Sequence, residues 1–130
     1  MKKGLLASVL VAVTVFAAVS LISGATYLLW PVGPFPLGNL LTAAGLVSPP
    51  LAAWLYAGNR RWLRGFCLVA MTLAALWYPV SIVMAGNPSL NFTGYRGVPW
   101  VWLTLGSAVL SLLSPVLVAG ARLIDRLRRS

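Results

Sequence analysis

The sequence predicts an all-α fold, a bundle of four transmembrane helices in a single domain covering residues 1–130. Three observations carry this. Apolar residues make up 60% of the chain and charged residues 8%, where soluble domains carry about 45–50% and about 25%. The apolar residues fall into continuous runs of helical length, separated by short segments rich in proline, glycine or arginine. The basic residues collect at the ends of those runs, with nine of the ten on one predicted side.

The first run follows Lys2 and Lys3 and is uncharged as far as Arg60. About 20 residues cross the hydrocarbon core, so this stretch is too long for one helix. It divides at WPVGPFPLGN, where three prolines and two glycines break helical structure. The first span is therefore about residues 5–29 and the second about residues 38–57. The third lies between Arg64 and Arg96, near residues 66–85, and the fourth covers about residues 99–121. A β-barrel would need alternating apolar and polar positions. Within lipid, backbone amides must find partners in their own segment, so continuous apolar runs are expected to be helices.

Ser23-Gly24-Ala25 after the first run also resembles a secretory cleavage site. The run is longer than the roughly 7–15 residues typical of a signal peptide, so retention as a span is expected.

Orientation follows from charge, since lysine and arginine gather on the cytoplasmic side of inner-type membranes. Lys2 and Lys3, then Arg60, Arg61 and Arg64, then Arg122, Arg126, Arg128 and Arg129 are assigned to that side. Both termini are then cytoplasmic, and the arginines serve as anchors to an anionic inner leaflet. Only Arg96 faces outward. Aromatic residues favour the headgroup layers, which suits Tyr27, Trp30, Trp77, Tyr78, Trp100 and Trp102 at the outer boundary and Trp54, Tyr56 and Trp62 at the inner one. The spacing of Asp125 and Arg129 also allows a pair within one helix.

The net charge of +9 does not indicate nucleic acid, because the basic residues flank apolar runs and form no soluble face. There is no histidine, one acid (Asp125) and one cysteine (Cys67). Haem and catalytic zinc sites lack ligands, and triad or two-carboxylate chemistry lacks its members. No catalytic residue, cofactor or metal is expected, and the chain is read as a non-enzyme.

Small residues let membrane helices approach closely. Gly4, Ser8 and Ala12 recur at four-residue spacing, as do Ser20 and Gly24, while Ser107, Ser111 and Ser114 share a narrow arc. These positions are candidates for internal packing or for a partner face. Pro49, Pro50 and Pro115 remove backbone donors, making them candidate helix breaks, with Pro49-Pro50 the deepest. Tyr95 and Arg96, in the outer loop, are candidate contacts for a headgroup or a partner.

Function is expected to be non-catalytic: an accessory or regulatory subunit of a larger membrane complex, or a self-associating chain, working through helix–helix contacts. A small oligomeric transporter or pore for a neutral or hydrophobic solute is the alternative, although the spans hold no ionisable group for ion coupling. A bacteriocin-immunity or lysis-type protein is a further one.

Overall fold

The computed structural model describes residues 2–129, which form four α-helices joined by short connections. They are α1 (Lys2–Ser23), α2 (Leu37–Leu55), α3 (Arg61–Ala85) and α4 (Gly97–Arg129). Three of them are long and apolar enough to cross a membrane: α1, α3 and α4. The shorter α2 lies outside that class because Asn39, Thr42, Ser48, Pro49 and Pro50 dilute its apolar content. Its position explains the tolerance. It packs against α1, α3 and α4, while α3 and α4 also pack on each other. Along all of α2 only Ala44 is exposed.

The interior is made mostly of small side chains, with Trp77, Leu63 and Val118 as larger exceptions. Along α3 the buried positions include Leu63, Cys67, Ala70, Ala74, Trp77 and Ser81, and along α4 they are Ser107, Ser111, Ser114, Val118 and Ala121. Both series step alternately by four and three residues, the spacing that keeps one helical face against a neighbour. The large aliphatic side chains point the other way: Val69, Leu76, Val83, Leu105, Val109, Leu112 and Val116 are exposed. In water this arrangement would leave an apolar surface far larger than soluble monomers show. In hydrocarbon it is favourable, because lipid solvates the aliphatic side chains and small residues allow backbone contact.

One such close approach is between α1 and α2. A methyl group on Gly45 would lie 2.9 Å from Ala17 Cβ. Beyond α2, α1 makes little extended contact and buries only Ala17 and Ser20.

Several sequence expectations are revised. The first span does not reach residue 29. The helix stops at Ser23, Gly24 turns into the left-handed region (φ 64°), and a 3₁₀ turn follows at Thr26–Leu29. The WPVGPFPLGN linker is ordered as a short antiparallel hairpin, pairing Pro31 with Pro36 and Val32 with Phe35.

Pro49, Pro50 and Pro115 do not break their helices, and α2 and α4 run continuously through them. The fourth helix extends beyond the expected span of about residues 99–121 at both ends. At 1.5 Å per residue, the 33 residues of α4 extend about 50 Å, so its arginine-bearing turns project beyond a hydrocarbon core of about 30 Å.

The close contact at Gly45 predicts that Gly45→Leu lowers the melting temperature in detergent by several degrees through displacement of α1. Gly106→Leu, at a glycine with open space around its missing side chain, should be tolerated. Equal loss in both variants would contradict the proposed α1–α2 contact.

Candidate functional site

Two polar regions stand out, a serine-lined seam inside the helices and a basic cavity at one end. The seam follows from proline chemistry. Pro50 has no backbone N–H, so the carbonyl of Leu46, four residues earlier, loses its usual partner. Ser111 Oγ of α4 donates to that carbonyl at 2.6 Å. The proline therefore leaves α2 straight enough to remain one helix while opening an acceptor that α4 fills.

Ser48 and Ser114 instead bond back to carbonyls of their own helices, Ala44 at 2.7 Å and Leu110 at 2.9 Å. Ser107 is buried as well, and its Oγ has no hydrogen-bond partner among the described residues. The three candidate serines of α4 thus share one buried face, which Ser111 joins to α2 at Leu46, while Ser48, Pro49 and Pro50 are buried within α2.

The small residues of α1 divide differently. Ser20 is buried and bonds the Tyr27 hydroxyl. Gly24 is exposed in the turn after the helix. Gly4, Ser8 and Ala12 are also exposed, with Ser8 Oγ bonded to the Gly4 carbonyl at 2.8 Å. A methyl group on Gly4 would lie 3.9 Å from the Tyr56 hydroxyl, so this end of α1 sits beside the end of α2 while all three residues stay exposed.

Away from the arginines, the aromatic side chains form a lid. Trp77 and Tyr78 are buried against the neighbouring helices; Trp77 is 2% exposed. Trp77 Nε1 donates to Thr104 Oγ1 at 2.9 Å, and Trp100 Nε1 donates to Ser81 Oγ at 2.9 Å. The Pro88 carbonyl accepts from the Tyr78 hydroxyl at 2.5 Å and from Asn39 Nδ2 at 3.2 Å, tying the loop to α2 and α3. Internal partners for the indoles explain why these rings turn inward. Tyr95 is 91% exposed, and Arg96 beside it is exposed too. Neither is brought to the other polar regions.

At the opposite end, the α2–α3 hairpin meets the last turns of α4 around a cavity of about 270 Å³. Arg60 and Asp125 form an ion pair at 2.5 Å, with side chains 36% and 45% exposed. Asp125 thus pairs across helices, and the expected pairing with Arg129 is replaced because Arg60 is presented directly opposite. Arg122 Nε donates to the Tyr56 carbonyl at 3.0 Å, and its guanidinium lies 5.1 Å from the centre of the Tyr56 ring. Arg64 is held by the Gly58 carbonyl at 3.3 Å and stacks 4.7 Å over Trp54. Arg126 and Arg129 complete the cavity rim, whereas Arg61 and Arg128 lie outside it.

The interhelical pair and this cavity were not foreseen from sequence. The lone acid, placed among arginines on α4, was the available signal. Comparison with protein-family models, curated proteins and solved structures finds no match.

The bond from Ser111 to Leu46 predicts a specific non-additivity. Ser111→Ala should cost about 1 kcal/mol, within the range for interhelical hydrogen bonds in membranes. Pro50→Ala restores a helical donor to the Leu46 carbonyl, so adding Ser111→Ala in that background should cost less than half as much. A double-mutant cycle by detergent unfolding checks this, and strict additivity would contradict it.

Proposed function

We propose that the chain crosses a bacterial-type cytoplasmic membrane four times, as a helical bundle with both termini and the 58–65 hairpin inside. In this reading it is a non-catalytic accessory or regulatory subunit that binds a partner membrane protein through helix–helix contact. Three features support the threading. Lys2 and Lys3 lie close in sequence to Gly4, which approaches the Tyr56 hydroxyl, and the hairpin and α4 arginines meet around one cavity. The nine basic residues therefore gather at one end, as the positive-inside tendency favours. The length of α2, about 28 Å, suits a span shielded from lipid by its neighbours.

The observation that carries the functional reading is the contrast between α1 and the rest. Ser111, Trp77, Trp100 and Tyr78 have their polar atoms engaged within the chain. In contrast, α1 leaves Gly4, Ser8 and Ala12 exposed on a helix with only two buried residues. Small residues gain little from lipid but permit close approach of another helix. The partner chemistry this face suits is a transmembrane helix with small residues of its own. An aqueous path is not favoured along Pro49-Pro50 or the α4 serines, since those side chains are buried and the cavity of about 140 Å³ that Ser111 lines is otherwise mostly apolar.

Reporter fusions after Trp62 and Arg129 should both indicate the cytoplasm, and one after Ser89 the opposite side; Trp62 and Arg129 on different sides would contradict the threading. A photo-crosslinking residue at Ala12 should capture a discrete partner protein in cells, while one at Leu112 should not. A monodisperse lone monomer in mild detergent, with no adduct from Ala12, would contradict the subunit reading.

A further inference from the structure

We infer that the cavity between the α2–α3 hairpin and the end of α4 is a binding site for a phosphate group. Four arginines that line it, Arg60, Arg122, Arg126 and Arg129, face a single carboxylate, Asp125. The local balance is three positive charges in excess, concentrated in one concavity instead of spread over a surface. Arginine's fixed fork of donors matches phosphate oxygens in a bidentate way.

The arginines are not equivalent. Arg60 is engaged by Asp125, and Arg122 is oriented by the Tyr56 carbonyl and ring. Those contacts hold two guanidiniums in place before any ligand arrives. Arg126 and Arg129 have no such contact among the described residues and remain available to close on an anion.

The cavity is also amphipathic. Its floor is formed by Leu63, Val118 and Ala121, which belong to the buried face of the helices, while the arginines form the rim. An anion carrying an apolar portion fits this better than a bare ion. The volume of about 270 Å³ is just below the usual range for small-molecule sites and suits a headgroup. Basic pockets at the cytoplasmic ends of membrane helices are suited to acidic lipids for the same reasons. An acidic phospholipid headgroup and a soluble phosphate share the chemistry recognised here. The lipid source rests on the four-span reading; the phosphate site itself does not.

The test uses the full chain in mild detergent. One arm adds phosphatidylglycerol or phosphatidylcholine and counts retained lipid by native mass spectrometry. The other adds inorganic phosphate without lipid and follows the melting temperature. The double variant Arg126→Gln/Arg129→Gln is compared with Arg61→Gln/Arg128→Gln, which removes equal charge outside the cavity.

Preferential retention of phosphatidylglycerol, weakened at least tenfold in the first variant and less than about threefold in the second, supports a site filled from the bilayer. The tenfold figure corresponds to losing about one hydrogen bond to a charged group. Stabilisation by inorganic phosphate that depends on the same pair, without lipid preference, supports a site filled from solution and would stand even if the reporter fusions overturned the threading. Equal loss in both variants, or no response to either ligand, overturns the site.

Discussion

The rest of the structure depends on how closely the helix backbones approach, and small side chains set that distance. Gly45 against Ala17 is one tight instance, and the buried faces of α3 and α4 extend the principle over several turns. With alanine, serine and cysteine filling most inward positions, most of the bulky aliphatic residues are carried outward, Leu63 and Val118 being exceptions. A water-soluble protein reverses this distribution because apolar burial drives its folding. Here the packing of backbones and a few interhelical hydrogen bonds must do that work, as expected where lipid already solvates apolar groups.

Hydrogen bonding then determines which helix can be central. In an apolar phase every backbone polar group needs a partner, and a helix carrying adjacent prolines has carbonyls without one. The Leu46 carbonyl finds its donor only because α4 places Ser111 beside it. The polar composition that lowers the hydropathy of α2 is therefore compatible with its enclosed position. A lipid-facing helix with the same residues would lack such donors.

Much of the helical plan was legible in the sequence. Uninterrupted apolar runs and the arginine clusters located all four helices, because each reflects local chemistry and helix length alone. What was not legible depends on contacts between distant segments. Pro50 read in isolation signals a break, and only the serine 61 positions later makes it compatible with a continuous helix. That the Trp77 indole is buried and bonded to Thr104, 27 positions later, could not be read from its place in an apolar run. Asp125 offers a neighbour on its own helix, yet the hairpin turns Arg60 towards it. The Ser107-Ser111-Ser114 arc was visible as a face, whereas the exposure of Gly4, Ser8 and Ala12 depended on where α2 ends up.

The two ends of the molecule are built for different tasks. The aromatic end is internally bonded and pins its own loop, while at the arginine end Arg126 and Arg129 have no ion-pair partner among the described residues. In the four-span reading, one end closes the helices and the other faces the charged leaflet. All of this requires the small-residue faces to be inside and the aliphatic faces in lipid. Spin labels introduced singly along residues 105–116 of α4 in membranes, after Cys67→Ala, measure that directly through oxygen accessibility. Inward packing of the serines predicts maxima at Leu105, Val109, Leu112 and Val116 and minima at Ser107, Ser111 and Ser114. A flat profile, or one with the serines at the maxima, would contradict it.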